Sequence, residues 1–460
     1  MIALLVALLS GAMLYLSQGL NDVWALAWFA PAPLLWLAYG KTPLWQVVLA
    51  SVGAILIGAI YAVVCYWSQL PPAVYLIVLG PQLVLFPLAI VFARSVERRN
   101  MPLVTLFAFP LAWTAFEFLS ELVAPNGTFG SLAYTQMSAP FLIQSASLFG
   151  LYAVTFLICL FANTLAMAAR MRRETALAVG VGLAICAANV VFGLVRLSQP
   201  QGETVRVAAM VDETAMINAW HARTPAQRRA VSQSYADAIR SAGAKFVVTP
   251  EGGIVITPEL HAAIVAPLVA AAKDSGAQVI AGLYQPSPAR DLAQAMQPDG
   301  TTREYDKRHL VPILENMFTP GRHSGWLGEG RAMEICKDMD FPDTIRGDAT
   351  AGVRLVGSPA GDFGTDAWLH GRMAIMRGVE NGFALVRAAN EGLVTASDAQ
   401  GRLVASKMDA PKGLTMVVAD LPLGPGPTLY TRIGDAFAWA CVVFSILIGA
   451  YAFFVRKTVD

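Results

Sequence analysis

The chain is poor in charge: Asp, Glu, Lys and Arg make up 14% of its 460 residues, against roughly 25% in soluble proteins. The net charge is +1, so the basic face that nucleic-acid binding needs is missing. Cysteine is scarce as well. Cys65, Cys159, Cys186 and Cys441 lie within apolar runs, and Cys336 alone falls in polar sequence. One cysteine cannot close a disulfide within its own domain, so an oxidising compartment is neither required nor excluded. No internal repeat and no low-complexity tract is present. There is no Gly-x-Ser-x-Gly elbow, no His-Glu-x-x-His zinc pattern and no phosphate loop, which removes the common serine-hydrolase, metalloprotease and nucleotide-binding readings.

What the chain has in excess is apolar sequence, 56% of all residues. A membrane-spanning helix takes about 20 mostly apolar residues. Seven such runs lie at 2–19, 24–40, 45–67, 73–94, 102–121, 141–169 and 175–197, and an eighth at 434–455. The second is interrupted by Pro31 and Pro33. The first has no basic residue before it and no small-residue cleavage site leading into a soluble domain, so it reads as a retained helix. The expected organisation is a seven-helix membrane domain over 1–198, a globular domain over 203–425 and a closing helix over 433–455.

Short-loop basic residues orient this arrangement. Lys41 follows the second run, Arg94, Arg98 and Arg99 the fourth, Arg170, Arg172 and Arg173 the sixth, and Arg456 and Lys457 the eighth. The loops after the first, third and fifth runs have no Lys or Arg. Both termini are therefore expected in the cytoplasm and the globular domain on the outer face. Glu117, in the fifth run, is the clear ionisable residue inside an apolar segment, and pairing with Trp113 or a loop group is its simplest role.

The globular part alternates β-type runs at 205–211, 246–249, 278–284, 352–357, 383–388 and 414–419 with helical spacing at 224–242 and 258–275. That alternation predicts a layered α/β domain. Three of its segments carry chemistry. In Arg331-Ala-Met-Glu-Ile-Cys336-Lys-Asp-Met-Asp-Phe-Pro342 a cysteine ends an apolar stretch and opens a turn. Exposed backbone N–H groups there can lower a thiol's pKa and hold an oxyanion. Lys337, Asp338 and Asp340 make the surroundings look too polar for an inert buried thiol. In Phe246-Val-Val-Thr-Pro-Glu251-Gly-Gly a carboxylate stands at a strand end, where a general base belongs. In Glu304-Tyr-Asp-Lys307-Arg-His-Leu-Val-Pro-Ile-Leu-Glu315 a lysine is followed by a second acid.

Together these make a nucleophilic set: the acid takes the thiol proton, the cysteine attacks a carbonyl, and the ammonium with backbone N–H groups holds the oxyanion. The product is a thioester. His309 and His323 have no metal-ligand spacing, so neither a metal nor another cofactor is expected.

These segments resemble the nitrilase, or carbon–nitrogen hydrolase, superfamily, with Glu251, Lys307 and Cys336 at its triad positions. The apolar runs narrow the resemblance to the apolipoprotein N-acyltransferase family. Trp24-Ala-Leu-Ala-Trp-Phe-Ala-Pro31, Trp113-Thr-Ala-Phe-Glu117-Phe, Ala133-Tyr-Thr-Gln136, Gln144-Ser-Ala-Ser-Leu-Phe-Gly150 and Gly424-Pro-Gly-Pro-Thr-Leu-Tyr-Thr-Arg-Ile-Gly434 also carry it. The resemblance implies a multi-pass α-helical membrane domain of about eight helices, seven plus one, and a nitrilase-like αββα sandwich. It implies a monomer in a bacterial inner membrane, with a phospholipid as acyl donor and a diacylglyceryl-cysteine apolipoprotein as acceptor in a ping-pong reaction. Glu315 falls at the family's second essential glutamate, and Lys337, Asp338, Asp362 and Trp368 are expected to support the oxyanion or substrate.

The chain also departs from the family. Cys336-Lys337-Asp338 replaces Cys-Tyr-Glu, which is closer to soluble nitrilase-type amidases. Ser358-Pro-Ala-Gly-Asp362-Phe363 replaces Asn-Asp-Ala-Trp-Phe, and Glu251 is followed by two glycines. The stretch 291–300 lacks the usual Tyr-Asn-Ser-Ala-type strand, whereas Trp368, His370, Arg372 and Arg377 match the helix that follows. The thioester chemistry survives these changes. A membrane-tethered amidase, or an acyltransferase for another amine, stays open as the alternative.

Overall fold

The computed structural model describes residues 1–67 and 72–454; Arg456 and Lys457 lie outside them. The chain divides into two compact units, Met1–Gln199 with Ile433–Asp460, and Pro200–Arg432.

The first unit is helical. Among the described residues, six helical stretches are long and apolar enough to cross a membrane: Leu44–Tyr66, Leu79–Glu97, Pro102–Glu121, Leu151–Ala168, Arg173–Leu197 and Ala436–Phe454. The first two apolar runs form shorter helical pieces, Ile2–Ser17 and Leu26–Ala38, the latter broken ahead of Pro31. The single run read at 141–169 is divided by Gly150, whose φ of 74° is open to glycine and interrupts the helix before Leu151–Ala168. Glycines let helices approach closely: a Cβ on Gly11 would stand 2.7 Å from Ile57, and one on Gly58 2.8 Å from Leu14. Several polar groups in this apolar unit pair with one another or with backbone carbonyls. Asn163 accepts from Tyr39 (2.6 Å) and donates to the carbonyls of Thr105 and Leu106. Trp28 donates to Gln136 at 2.7 Å. Glu117 accepts from Ser131 (2.5 Å), Thr155 (2.9 Å) and the Leu132 amide (3.4 Å), so loop and neighbouring-helix groups satisfy it.

The second unit holds thirteen strands among the described residues. They are β1 (Thr204–Asp212), β2 (Phe246–Val248), β3 (Ile254–Val255), β4 (Gln278–Pro286), β5 (Ala289–Met296), β6 (Thr302–Asp306), β7 (Trp326–Gly328), β8 (Arg331–Met333), β9 (Leu355–Gly361), β10 (Ala384–Asn390), β11 (Leu393–Ser397), β12 (Leu403–Met408) and β13 (Leu414–Pro422). One sheet runs β13-β1-β2-β4-β5-β6 with β3 beside β4; the other runs β12-β11-β10-β9-β8-β7.

Side-chain alternation builds the layers. Val207, Ala209 and Val211 of β1 join Phe246, Val248, Leu355, Val386 and Ala396 in the core between the sheets. Ala208 and Met210 point the other way, onto Tyr235, Ile239 and Leu268 of the helices Pro225–Ala242 and His261–Ser275. Helix Pro225–Ala242 begins with a capping box, Thr224 with Gln227, and ends at Gly243 in the left-handed region (φ 60°). Helix Ala367–Asn381 covers the second sheet, which completes an αββα sandwich.

Two sequence expectations are corrected here. The strand read at 352–357 runs instead from Leu355 to Gly361. It passes through Pro359, which is tolerated because β8 pairs with β9 only as far as Gly357. The stretch 291–300 lacks the family's Tyr-Asn-Ser-Ala-type sequence and stands outside the six β-type runs expected, yet it contains most of β5, paired with β4 and β6.

Candidate active site

Alternation also decides which side chains enter the site. Tyr305 of β6 points into the core between the sheets, and Lys307, two residues on, shares its side. Glu251 follows the buried end of β2, and its amide donates to the carbonyl of Ala360 at 3.3 Å, which ties it across to β9. Cys336 follows β8 and opens the short 3-10 turn Cys336–Asp340. Three distant strand ends from two sheets thus converge.

The Lys307 ammonium lies 2.6 Å from Glu251 Oε1, 2.6 Å from Glu315 Oε1 and 3.4 Å from Asp291 Oδ2. It is 1% exposed, so this is no surface charge cluster. Carboxylate oxygens of Glu251, Asp291 and Glu315 come within 4.8 Å of one another, and the ammonium occupies the place a cation would take among them. The Cys336 thiol donates to the Gly361 carbonyl at 3.4 Å and also interacts with the Glu251 carboxylate.

Burial alone would push the Glu251 carboxyl up, but the ammonium of Lys307 and hydrogen bonds from its neighbours hold it below the usual range. Lys307 opposes a burial penalty of its own, and Glu251 and Asp291 keep its pKa well above normal. Glu315 is raised by burial, with Lys307 opposing. Cys336 is pushed well above the ordinary thiol range by burial and then by the Glu251 charge, against the pull of Lys307 and Arg387. The lowered thiol pKa expected from the sequence is therefore corrected: at rest Cys336 is a thiol, and it needs the adjacent base.

Cys336 itself has φ 40°, a strained conformation for a residue with a Cβ. Asp338 holds the turn. Its carboxylate accepts from the amides of Ile335 (3.2 Å), Arg308 (3.0 Å) and His309 (2.8 Å) and from the Tyr305 hydroxyl (2.7 Å). Arg308 reaches back to Glu334 at 2.8 Å and Asp348 at 2.5 Å. The polar neighbours Lys337, Asp338 and Asp340 are all buried, so the polarity read beside Cys336 belongs to an interior ionic layer.

The other supporting residues are distributed around this centre. The Lys337 ammonium pairs with Asp340 at 3.1 Å and lies over the Phe341 ring, so its side chain is engaged away from the Glu251–Lys307 pair. Asp362 forms a two-pronged ion pair with Arg387, at 2.5 and 2.9 Å, and both charges act on Cys336. Trp368 is half-buried and stacks on Arg372. Sequence reasoning missed Asp291. It also missed an aromatic group beside Gly252: Trp220, 52% exposed, stacks on Tyr284, whose ring meets Phe318 edge-on. Exposed Ile217, Ile313 and Met317 extend the apolar surface of these segments. The signal for Asp291 was its place in a strand with Ala293 and Ala295 at two-residue steps.

Residues 10–164 match the family profile of the apolipoprotein N-acyltransferase N-terminal domain, and residues 214–423 match that of the carbon–nitrogen hydrolases. The apolipoprotein N-acyltransferase of Geobacter metallireducens is 28% identical over 98% of this chain and 95% of its own. That of Methylococcus capsulatus is 25% identical over 72% of this chain and 71% of its own. Among solved structures, an amidase from Nesterenkonia sp. aligns over 52% of this chain and 97% of its own, at 23% identity and a TM-score of 0.41. Matched in its helical part, in its globular part and along nearly its whole length, the chain belongs to the apolipoprotein N-acyltransferase family.

Proposed function

We propose that this chain acylates the N-terminal amine of a diacylglyceryl-cysteine apolipoprotein with an acyl group taken from a phospholipid, through a thioester on Cys336. The observation that carries the reading is the contact of a buried Glu251–Lys307 ion pair, 2.6 Å long, with the only thiol of the globular unit.

Glu251 accepts the Cys336 proton as sulfur attacks the donor's ester carbonyl. The oxyanion forms beside the Lys307 ammonium and the backbone of the 336–340 turn, which are already in place and need no reorganisation. Collapse breaks the ester C–O bond, and Glu251 returns the proton to the leaving lysophospholipid oxygen. In the second half the acceptor amine attacks the thioester, Glu251 takes the amine proton, the C–S bond breaks and the proton goes back to sulfur. Exposed apolar side chains near Glu251, Trp220 among them, suit a hydrocarbon-bearing donor. Glu315, also on Lys307, fixes the ammonium from the second side.

Family membership and the apolar helices make this an inner-membrane protein. The positions of Lys41, Arg94, Arg98, Arg99, Arg170, Arg172 and Arg173 support placing residues 200–432 on the outer face. The test is purified full-length protein with a radiolabelled phospholipid and a diacylated lipopeptide. Wild type should give a labelled thioester and then an N-acylated lipopeptide. Cys336→Ala and Cys336→Ser should lose at least ~1,000-fold of the transfer rate. Ammonia release from amides without a labelled lipopeptide would establish the amidase alternative, and transfer by Cys336→Ala would remove the mechanism.

A further inference from the structure

Asp291 is an ionisable residue of the centre that the reaction above leaves without a role. It lies on β5, where Ala293 and Ala295 face the second sheet and Leu292 and Met296 face the helices. Alternation along the strand therefore aims Asp291 at the nucleophile's side. The residue is 6% exposed, and its carboxyl touches both members of the catalytic ion pair: Lys307 Nζ at 3.4 Å, and Glu251 through a side-chain hydrogen bond. Its backbone carbonyl also accepts from the Lys307 amide at 3.0 Å. The groups facing it are Glu251 after β2, Lys307 after β6 and Glu315 in the loop beyond, with Tyr284 as its register partner on β4.

Three carboxyl groups surround one ammonium. If all three were ionised, two negative charges would stand uncompensated in a buried site, a costly arrangement. Two carboxylates in hydrogen-bonding contact repel; a carboxylate and a carboxylic acid attract, the acid donating.

We propose that Asp291 is a positioning residue that donates its carboxyl proton in a hydrogen bond to Glu251, keeping Glu251 ionised, fixed and aimed at Cys336. This rests on the reading of Glu251 as general base. Burial, and next the charge of Glu251, raise the Asp291 pKa well above the carboxylate range, in keeping with a proton held there, while Glu251 moves the opposite way. When Asp291 loses its proton, the donor disappears and a new anion competes with Glu251 for Lys307. Acylation of Cys336 is then expected to slow on the alkaline side.

The experiment measures the pre-steady-state burst of nitrophenolate from p-nitrophenyl butyrate, with acyl-Cys336 confirmed by mass spectrometry, across pH in full-length wild type, Asp291→Asn and Asp291→Ala. The asparagine amide still donates but cannot ionise. Asp291→Asn should stay within ~3-fold of wild type near neutral pH and lose the alkaline fall; Asp291→Ala should be at least ~10-fold slower throughout. Thermal unfolding of each variant confirms the fold. Identical pH profiles for wild type and Asp291→Asn would overturn the proposal, as would an Asp291→Asn variant as slow as Asp291→Ala. If Cys336 accepts butyryl but never a phospholipid acyl group, the acyltransfer reading falls and this one stands. If wild type never acylates Cys336, both fall.

Discussion

His370 lies in the helix covering the second sheet, 3.0 Å from Asp366, with Asp362 and Asp340 further off. Burial pulls its imidazole down, but Asp366 and the other two acids outweigh that and take it up to about 9. A folded-state pKa above the unfolded value means that protonation stabilises the fold. The contribution is whole below the ordinary histidine pKa of roughly 6.5 and fades as pH rises through about 9. Melting temperatures of wild type and His370→Gln should therefore differ most on the acid side of this window and converge above it. A constant difference would show the ion pair to be inert. Glu251 and Cys336 were legible in the sequence as candidates because each ends an apolar strand-like run, and Lys307 because a short apolar segment and a second acid, Glu315, follow it. Their ionisation was not legible, because it depends on burial and on partners as remote in sequence as Glu251 and Lys307.

Asp338 works at the level of a turn, joining the nucleophile's 3-10 segment to the loop that carries Lys307. Asp338→Ala would leave three amides and the Tyr305 hydroxyl without this acceptor. A loss of at least ~2 kcal/mol in unfolding free energy, together with slower thioester formation, is the expected result, checked by denaturant titration and burst kinetics. An unchanged stability would mean that other acceptors replace it. The strands that alternate or are continuously apolar, β1, β4, β10 and β13, were readable from pattern. Strands β5, β6, β11 and β12 were not, because Ala, Gln, Thr, Ser and charged residues fill positions whose burial is decided by the partner strand. The polar run 337–340 misled for a related reason: its charges pair with one another and with Phe341 inside the protein.

For the molecule as a whole, the split between an apolar part and an ordinary globular part was plain from composition, since the first follows from residue type alone. The number of crossing helices was less so: glycine and proline divide the runs at Gly150 and Pro31 without changing their mean hydropathy. The proposed orientation predicts that, in intact spheroplasts, a single cysteine placed at exposed Arg206 reacts with an impermeant maleimide. One placed at Arg172 should react only after lysis. The reverse pattern would invert the topology. The pairing of β1 with β13, from Thr204 opposite Pro422 to Asp212 opposite Leu414, sets the entrance and exit of the globular unit side by side. The unit is thus a loop pinned at both feet, with apolar helices before and after it. A protease that nicks one of its surface turns would free neither half: each fragment would keep a hydrophobic anchor of its own, and the cut enzyme would sediment with the membrane.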